Sequence, residues 1–399
     1  MELTLLFDHR FYRDGEGKIF SSQNYNYSLF ANRYLKVFDR IRILARVSKQ
    51  AKNRSGEHAN DDGVEIVSLG DWNGPIEFLR KRPAILRLLK ENLLKDTAFI
   101  MIAPGTIGSL AYPQLVESGH PYAVEVVGDP FDMFAPGSIS HPLRPFFRWW
   151  FPRQLRQQCA NACAAAYVTE HTLQQRYPSF PGGIASNYSS IELPQAAIVS
   201  APRPYRQKAE SHALVTVGTL AQLYKAPDIL IDAVAACVHE GLDLKLVLVG
   251  DGKHRSELQA RVSTLGLGER VTFLGQLPAG DAIRSQLDQA DLFVLPSRQE
   301  GLPRAMIEAM ARALPCIGST IGGIPELLSP EDMVPPNNVP ALARKIREVI
   351  NDPTRMARMS ERNLETAKRY QNDVLQQRRI TFYEHVRRCT QEYLGSQGR

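Results

Sequence analysis

Cysteine is scarce in this chain, with five among 399 residues, and the odd number argues against a closed disulfide framework. Cys159, Cys163, Cys237, Cys316 and Cys389 fall mostly in apolar helix or strand patterns, which suits a reduced, cytosolic compartment. Cys159 and Cys163 lie four apart on an expected helix with no second ligand pair nearby, so zinc is not expected. His9, His120, His141 and His171 show no metal spacing either. No apolar stretch approaches the ~20 residues needed to span a bilayer. The opening Met1–His9 has no basic flank and no long apolar core, so it reads as a first strand and not as a signal peptide. An aromatic-and-basic nucleic-acid motif is also missing. What remains is a hydrophobic content of 44% and a charged content of 23%, as in soluble globular proteins, over a length that suggests about two domains. The net charge of +6 and the pI near 9.0 favour anionic partners such as nucleotide diphosphates or acidic lipid headgroups.

The richest stretch is Pro296 to Met310. It follows Leu292-Phe293-Val294-Leu295, a short apolar run of the kind found in buried parallel strands. Pro303 is expected as the first residue of the next helix, whose apolar stripe is Ala305, Met306, Ala309, Met310 and Ala313. Glu300 then sits in a strand-to-helix loop, and Glu308 about a turn and a half inside the helix. The unpartnered amides of a helix start, with Gly301 allowing close approach, suit a phosphate. Two carboxylates beside that seat are poor phosphate ligands but good acceptors for hydroxyls. A sugar nucleotide supplies both groups.

With the preceding strand, Gly301-Leu302-Pro303, and Gly322-Gly323-Ile324-Pro325-Glu326 downstream, the spacing from Glu300 to Glu308 resembles the signature of family-4 retaining glycosyltransferases. The resemblance is strong over roughly residues 205–350 and thin over the first 190. It implies an α/β chain of the GT-B fold, with two Rossmann-like, doubly wound parallel-sheet domains facing across a cleft. Residues 1–195 would form the acceptor-side domain and 205–370 the nucleotide-sugar-binding domain. A helix over 371–399 would cross back to the first.

Earlier in the chain, alternating strands and helices fit a parallel, doubly wound sheet. The strands are expected at Leu3–Phe7, Ile41–Ala45, Val64–Leu69, Ala98–Ile102, Tyr122–Val127 and Ala164–Thr169. Helices are expected at about Gln23–Phe38 and Pro75–Leu94. In the family the loop after the first strand is glycine-rich and approaches the donor; Gly15 and Gly17 match it loosely, and a plain surface turn fits equally. Family members often carry a His-Asp-like pair after the strand that ends here at Val127. Gly128 stands where that His is expected, and Asp129 remains to contact sugar or acceptor, or else to stabilise its own turn before Pro130. Phe146–Arg153 interleaves aromatics with arginines, either as an interfacial segment meeting anionic lipid or as a sheet-packed helix with arginines reaching outward. Pro152 argues against one long helix there.

Residues 191–211, with Pro194, Pro202 and Pro204, read as the linker. The alternation then restarts with Leu214–Val217, a helix that Asp228 can cap, Leu244–Val249 and Val271–Leu274. The family places an Arg just after the glycine of the first loop and a Lys shortly before the helix, both holding the diphosphate. Here Thr219 follows Gly218 in place of the Arg, and Lys225 matches the Lys, with Arg298 or Arg304 as candidate substitutes. Gly250-Asp251-Gly252 is a weak dinucleotide fingerprint, lacking the third glycine and the ribose acid. In the family that loop lies near the nucleotide, and Phe273 and Leu274 near the base.

The resemblance therefore implies a hexosyltransferase that retains anomeric configuration, with a UDP-sugar favoured and a GDP-sugar second. Glu300, Lys225 and Asp129 are its candidate catalytic residues. Glu308, Gly301, Leu302, Pro303, Gly218, Thr219, Gly250, Phe273, Leu274, Gly15 and Gly17 are candidate donor contacts. No Asp-x-Asp motif occupies the expected place, so neither metal nor cofactor is expected. The expected partners are the donor and a glycan or lipid-linked glycan of envelope or exopolysaccharide synthesis, with no nucleic acid. The expected location is the cytoplasm, with a peripheral contact at the inner membrane surface. A non-catalytic sugar-nucleotide binder, a GT-B epimerase and a nicotinamide enzyme are the rival readings.

Overall fold

The computed structural model describes residues 1–21, 25–49, 58–135, 141–204 and 211–397. Two compact units emerge: Met1–Gly128 with Trp149–Tyr188 and Gln376–Arg399, and Asp129–Arg148 with Ser189–Leu375. Each is built on its own parallel sheet. The inner linker residues 205–210 lie outside the described residues.

The sheet of the first unit uses β1 (Glu2–Arg13), β2 (Ile19–Phe20), β3 (Arg40–Ser48), β4 (Val64–Ser68), β5 (Ala98–Ala103), β6 (Ala123–Val126), β7 (Ala164–Tyr167) and β8 (Ile184–Asn187). Their order is β4-β3-β1-β5-β6-β7-β8, with β2 paired antiparallel to the end of β1. The central strands β5, β6 and β7 are buried almost throughout, as expected of parallel strands covered on both faces. β1 is much longer than its apolar run Leu3–Phe7. Its register against β3 shifts between Leu6 and Arg10, and pairing then resumes through Tyr12. Phe11, fully buried, anchors that second half. Gly15 and Gly17 consequently lie in the β1–β2 hairpin turn, where Asp14 Oδ1 accepts from the amides of Glu16 and Lys18 at 3.0 and 2.9 Å. Both glycines are exposed.

The helix expected at Gln23–Phe38 is Tyr27–Tyr34, because Asn26 caps it through its side chain. Residues 23–24 of that expectation lie outside the described residues. Helix Arg144–Ala160 corrects a second expectation, since Pro152 sits inside it without ending it. The proline ring is buried there, so packing outweighs the missing hydrogen bond. Arg153 and Arg156 reach outward as expected, while Arg144 and Arg148 are half-buried and three of the aromatics face outward. Arg148 Nε donates to Phe131 O at 3.2 Å with its guanidinium 3.9 Å from that ring, while Phe146, Trp149 and Trp150 are 50, 53 and 47% exposed. Helix Asn372–Gln397 carries the buried Arg379, Phe382, Tyr383 and Val386. Tyr383 donates to the buried carboxylate of Glu125 on β6 at 3.0 Å, and Arg387 to Val37 O at 2.8 Å.

In the second unit β9 (Ser211–Val217), β10 (Asp243–Val249), β11 (Val271–Gly275), β12 (Leu292–Leu295), β13 (Cys316–Ser319) and β14 (Met333–Val334) form a wholly parallel sheet. Its order is β11-β10-β9-β12-β13-β14. The chain starts mid-sheet, winds outward to β11, then returns to lay β12 beside β9. That reversal is a switch point, the place beyond the strand ends where open parallel sheets bind ligands. The loops after β9 and β12 are the two it brings together.

Candidate active site

Both loops at this switch point are shaped by backbone contacts that leave no room for side chains. A Cβ on Gly250 would stand 1.8 Å from Gly218 O, and one on Gly252 2.0 Å from the Ala221 amide nitrogen. A Cβ on Gly322 would stand 2.1 Å from Glu300 O, and Gly323 N donates to Gly301 O at 2.6 Å. The Gly250-Asp251-Gly252 pair thus docks one loop onto another, which accounts for its glycines without a dinucleotide. Thr219 completes that docking: its hydroxyl accepts from Ala221 N at 3.1 Å and donates to Asp251 O at 3.3 Å.

After Gly218 the chain forms a short turn, Leu223–Lys225, then helix Pro227–His239. Ala226, at φ 52°, caps that helix, so Asp228 does not take the capping role expected of it. Asp228 instead receives a two-pronged bond from Arg298, Nη1 to Oδ1 at 2.8 Å and Nη2 to Oδ2 at 2.6 Å. Arg298 also donates to Leu223 O and to Asn337 Oδ1, each at 2.6 Å. Its guanidinium is therefore occupied in clamping the turn that carries Lys225, and does not substitute for the missing phosphate-binding arginine. Arg304 remains exposed in the first turn of its helix.

Lys225 reaches across to the β12 loop, where its Nζ donates to Glu300 Oε1 at 2.6 Å. Ser297 Oγ donates to the same oxygen at 2.6 Å and is buried, and its own carbonyl accepts from Ser319 Oγ at 2.6 Å. Glu300 is only 7% exposed, yet its Oε2 has no partner among the described residues. Pro303 proves to be the cap of helix Arg304–Ala311 and not its first residue, with ψ 104°. Leu302 and Pro303 are buried beneath the loop, while Gly301 is half-buried. Glu308, half-buried one turn into that helix, accepts no hydrogen bond among the described residues. Burial raises the affinity of its carboxyl for a proton, and Arg304 and Arg284 oppose that. A carboxylate held so, without a donor, is suited to accept hydroxyl protons from a ligand.

Lys225, Glu300, Glu308, Gly218, Thr219, Gly250, Gly301, Leu302 and Pro303 thus share the carboxyl edge of one sheet. Phe273 and Leu274 end β11 on the same edge, Leu274 being 37% exposed. Asp129 is buried and its Oδ1 accepts from Phe131 N at 2.8 Å, capping the turn after Pro130. Gly15 and Gly17 belong to the hairpin of the first unit.

Sequence reasoning missed a polar group at the first sheet's own switch point, between β1 and β5. Asp8 Oδ2 accepts from Thr106 N at 2.8 Å and Oδ1 faces Arg46 Nε at 3.0 Å. Beside them the buried His9 holds Ser21 Oγ at 2.9 Å, and burial first, then Arg46, lowers its pKa to about 4. The register shift of β1 puts Asp8 there; nothing in a single sequence marks it.

Among the described residues no helix is long and apolar enough to cross a membrane, and no three His, Cys, Asp or Glu side chains converge to hold a metal ion.

Residues 211–352 match the family model of glycosyl transferases group 1. Protein CapJ of Staphylococcus aureus is 25% identical over 358 residues, which cover 87% of this chain and 86% of that protein. The structure of a sucrose-phosphate synthase from Thermosynechococcus elongatus superposes with a TM-score of 0.71 at 16% identity, covering 97% of this chain and 99% of that one. Anabaena HepE, solved with UDP and glucose, has a TM-score of 0.62 at 17% identity, covering 100% of this chain and 99% of its own. Residues 211–352 accordingly match a group 1 glycosyltransferase domain, and the chain as a whole has the GT-B fold.

Proposed function

We propose that this enzyme moves a hexose, with retention of anomeric configuration, from a nucleotide-diphosphate sugar to a glycan or lipid-linked glycan of envelope or exopolysaccharide synthesis. UDP is the favoured nucleotide, supported by a structural relative that holds UDP and glucose, and GDP is the alternative. One observation carries the reading: an ammonium and a carboxylate from the two loops of the switch point meet at 2.6 Å, beside a helix start and a donor-less second carboxylate.

In this reading the diphosphate lies against the opening amides of helix Arg304–Ala311, which have no intrahelical partner, and beside Lys225. Glu308 accepts the ribose hydroxyls, and the open Oε2 of Glu300 accepts a sugar hydroxyl while Oε1 keeps Lys225 in place. As the bond from the anomeric carbon to the phosphate oxygen breaks, negative charge grows on the diphosphate. Lys225 and the helix start stabilise it, a preorganised effect of about 3 kcal/mol for one donor. The acceptor hydroxyl enters from the face the diphosphate leaves and passes its proton to the departing phosphate oxygen, so no protein nucleophile takes part. Asp129 and the glycines of the first unit are assigned no step. The exposed Phe146, Trp149 and Trp150 support a peripheral station on the cytoplasmic face of the membrane, where aromatic side chains sit at the headgroup level.

The test is release of free nucleotide diphosphate from UDP-glucose and other donors, with and without acceptor glycans, for wild type and Glu300→Gln. Acceptor-dependent release that the substitution abolishes is expected. Release that the substitution leaves intact would overturn the site. Donor interconversion without acceptor would indicate an epimerase, and binding without turnover a non-catalytic binder.

A further inference from the structure

Outside the glycosyl site, the first unit assembles a second reactive cluster that joins residues 226 apart in the sequence. Cys163 stands just ahead of β7, its amide donating to Tyr122 O at 2.9 Å. Cys389 and His385 are one turn apart on helix Asn372–Gln397. The side chains of Cys163 and Cys389 stand close enough for each to act on the other's thiol. His385 Nε2 is 3.3 Å from Cys389 Sγ and 3.3 Å from Cys163 O. Arg388 Nη2 lies 3.0 Å from His385 Nδ1. A guanidinium can only donate, so Nδ1 accepts and a neutral ring carries its proton on Nε2, facing the sulfur and the carbonyl.

Cys389 Sγ is thereby approached by two donors, the S–H of Cys163 and the N–H of His385, with the Arg388 charge nearby and Glu392 opposing it. Such surroundings favour thiolate over thiol. Cys163 brings the Cys389 thiol down to about 7 against the effect of burial, while Cys389, then burial, pushes Cys163 far up. Both residues are partly exposed, whereas Cys159, Cys237 and Cys316 are buried. Burial pushes Cys159 up to about 12 against the effect of Tyr167, and Cys237 up to about 11 against that of Arg347, which makes them poor nucleophiles.

We propose that Cys163 and Cys389 form an oxidation site that reacts with a peroxide and closes a reversible disulfide, tying the C-terminal helix to the start of β7. Cys389 thiolate attacks one peroxide oxygen, the O–O bond breaks, and hydroxide leaves as water after taking the thiol proton. The Cys163 sulfur then attacks the sulfenic sulfur of Cys389, the S–O bond breaks, and a second water departs. Two thiols and one hydrogen peroxide thus become one disulfide and two waters, and a dithiol reverses the step by exchange.

The reduced full-length chain would be treated with a small molar excess of hydrogen peroxide, alkylated, and mapped by mass spectrometry without reduction. A peptide pair joined through Cys163 and Cys389, lost on adding dithiothreitol, is expected. In Cys163→Ser the Cys389 sulfenic acid should persist and be trapped by dimedone, and in His385→Gln alkylation of Cys389 at pH 7 should slow several-fold. Full alkylation of both cysteines after peroxide, a cross-link through Cys159, or one between two chains would overturn the proposal.

Discussion

The two sheets wind alike from the middle outward and back, yet they treat their switch points differently. In the second unit, the loops there are locked by glycine-on-backbone contacts, and two carboxylates keep acceptor capacity open. In the first, the polar groups are turned on each other: Asp8 is taken by Thr106 and Arg46, and His9 by Ser21. Ligand-ready geometry needs rigid loops whose polar groups remain underused, and the second sheet has both in its switch-point loops.

The largest expected effect breaks that rigidity. Gly250→Ala puts a methyl 1.8 Å from Gly218 O at φ 140°, and Gly322→Ala one 2.1 Å from Glu300 O at φ 57°. Each should cost about 3 kcal/mol or more in urea unfolding of the second unit and abolish transfer. Gly15→Ala, with nothing within 4 Å, should change neither by a measurable amount.

Next come the charges. Lys225→Ala should cut transfer about 100- to 1000-fold, as for removal of one oxyanion donor, with a melting temperature lowered by only a few degrees. Equal losses of rate and of folded protein would make the Lys225–Glu300 pair structural. Arg298→Lys loses the two-pronged grip on Asp228 and should lower the rate about tenfold through the displaced Lys225 turn, since one ammonium cannot satisfy both carboxylate oxygens.

pH acts on the first unit in two opposite directions. The pKa of His9 is depressed in the folded state to about 4 from 6.5, so its contribution is fully present above pH 6.5 and is lost as pH falls towards 4. The loss should reach about 3 kcal/mol, and His9→Phe should flatten that limb in acid titrations followed by fluorescence. Glu125 behaves oppositely. Burial raises its folded pKa, so stability falls as pH rises from the ordinary carboxyl range, and Glu125→Gln should remove that decline.

The second unit was largely legible in the sequence. Leu292–Leu295 and Leu244–Val249 announce buried parallel strands, and the glutamate spacing after the first marks the site. Boundaries slipped by one or two residues where backbone geometry decides them, as at Pro303 and Ala226. The first unit was harder. Asp8-His9-Arg10 resembles a loop in isolation, and only the pairing of Arg10–Tyr12 with Arg46–Ser48 carries the strand past it. Pro152 broke a local rule because its ring is buried. Glu125 and Tyr383 meet across 258 residues, a contact that no periodicity encodes.

Hydrogen–deuterium exchange of the full chain with saturating UDP tests the central claim most directly. The account predicts slowed exchange in 218–226 and 300–309 and unchanged exchange in the Gly15–Gly17 hairpin. Protection absent from both second-unit segments, or confined to the hairpin, would contradict it.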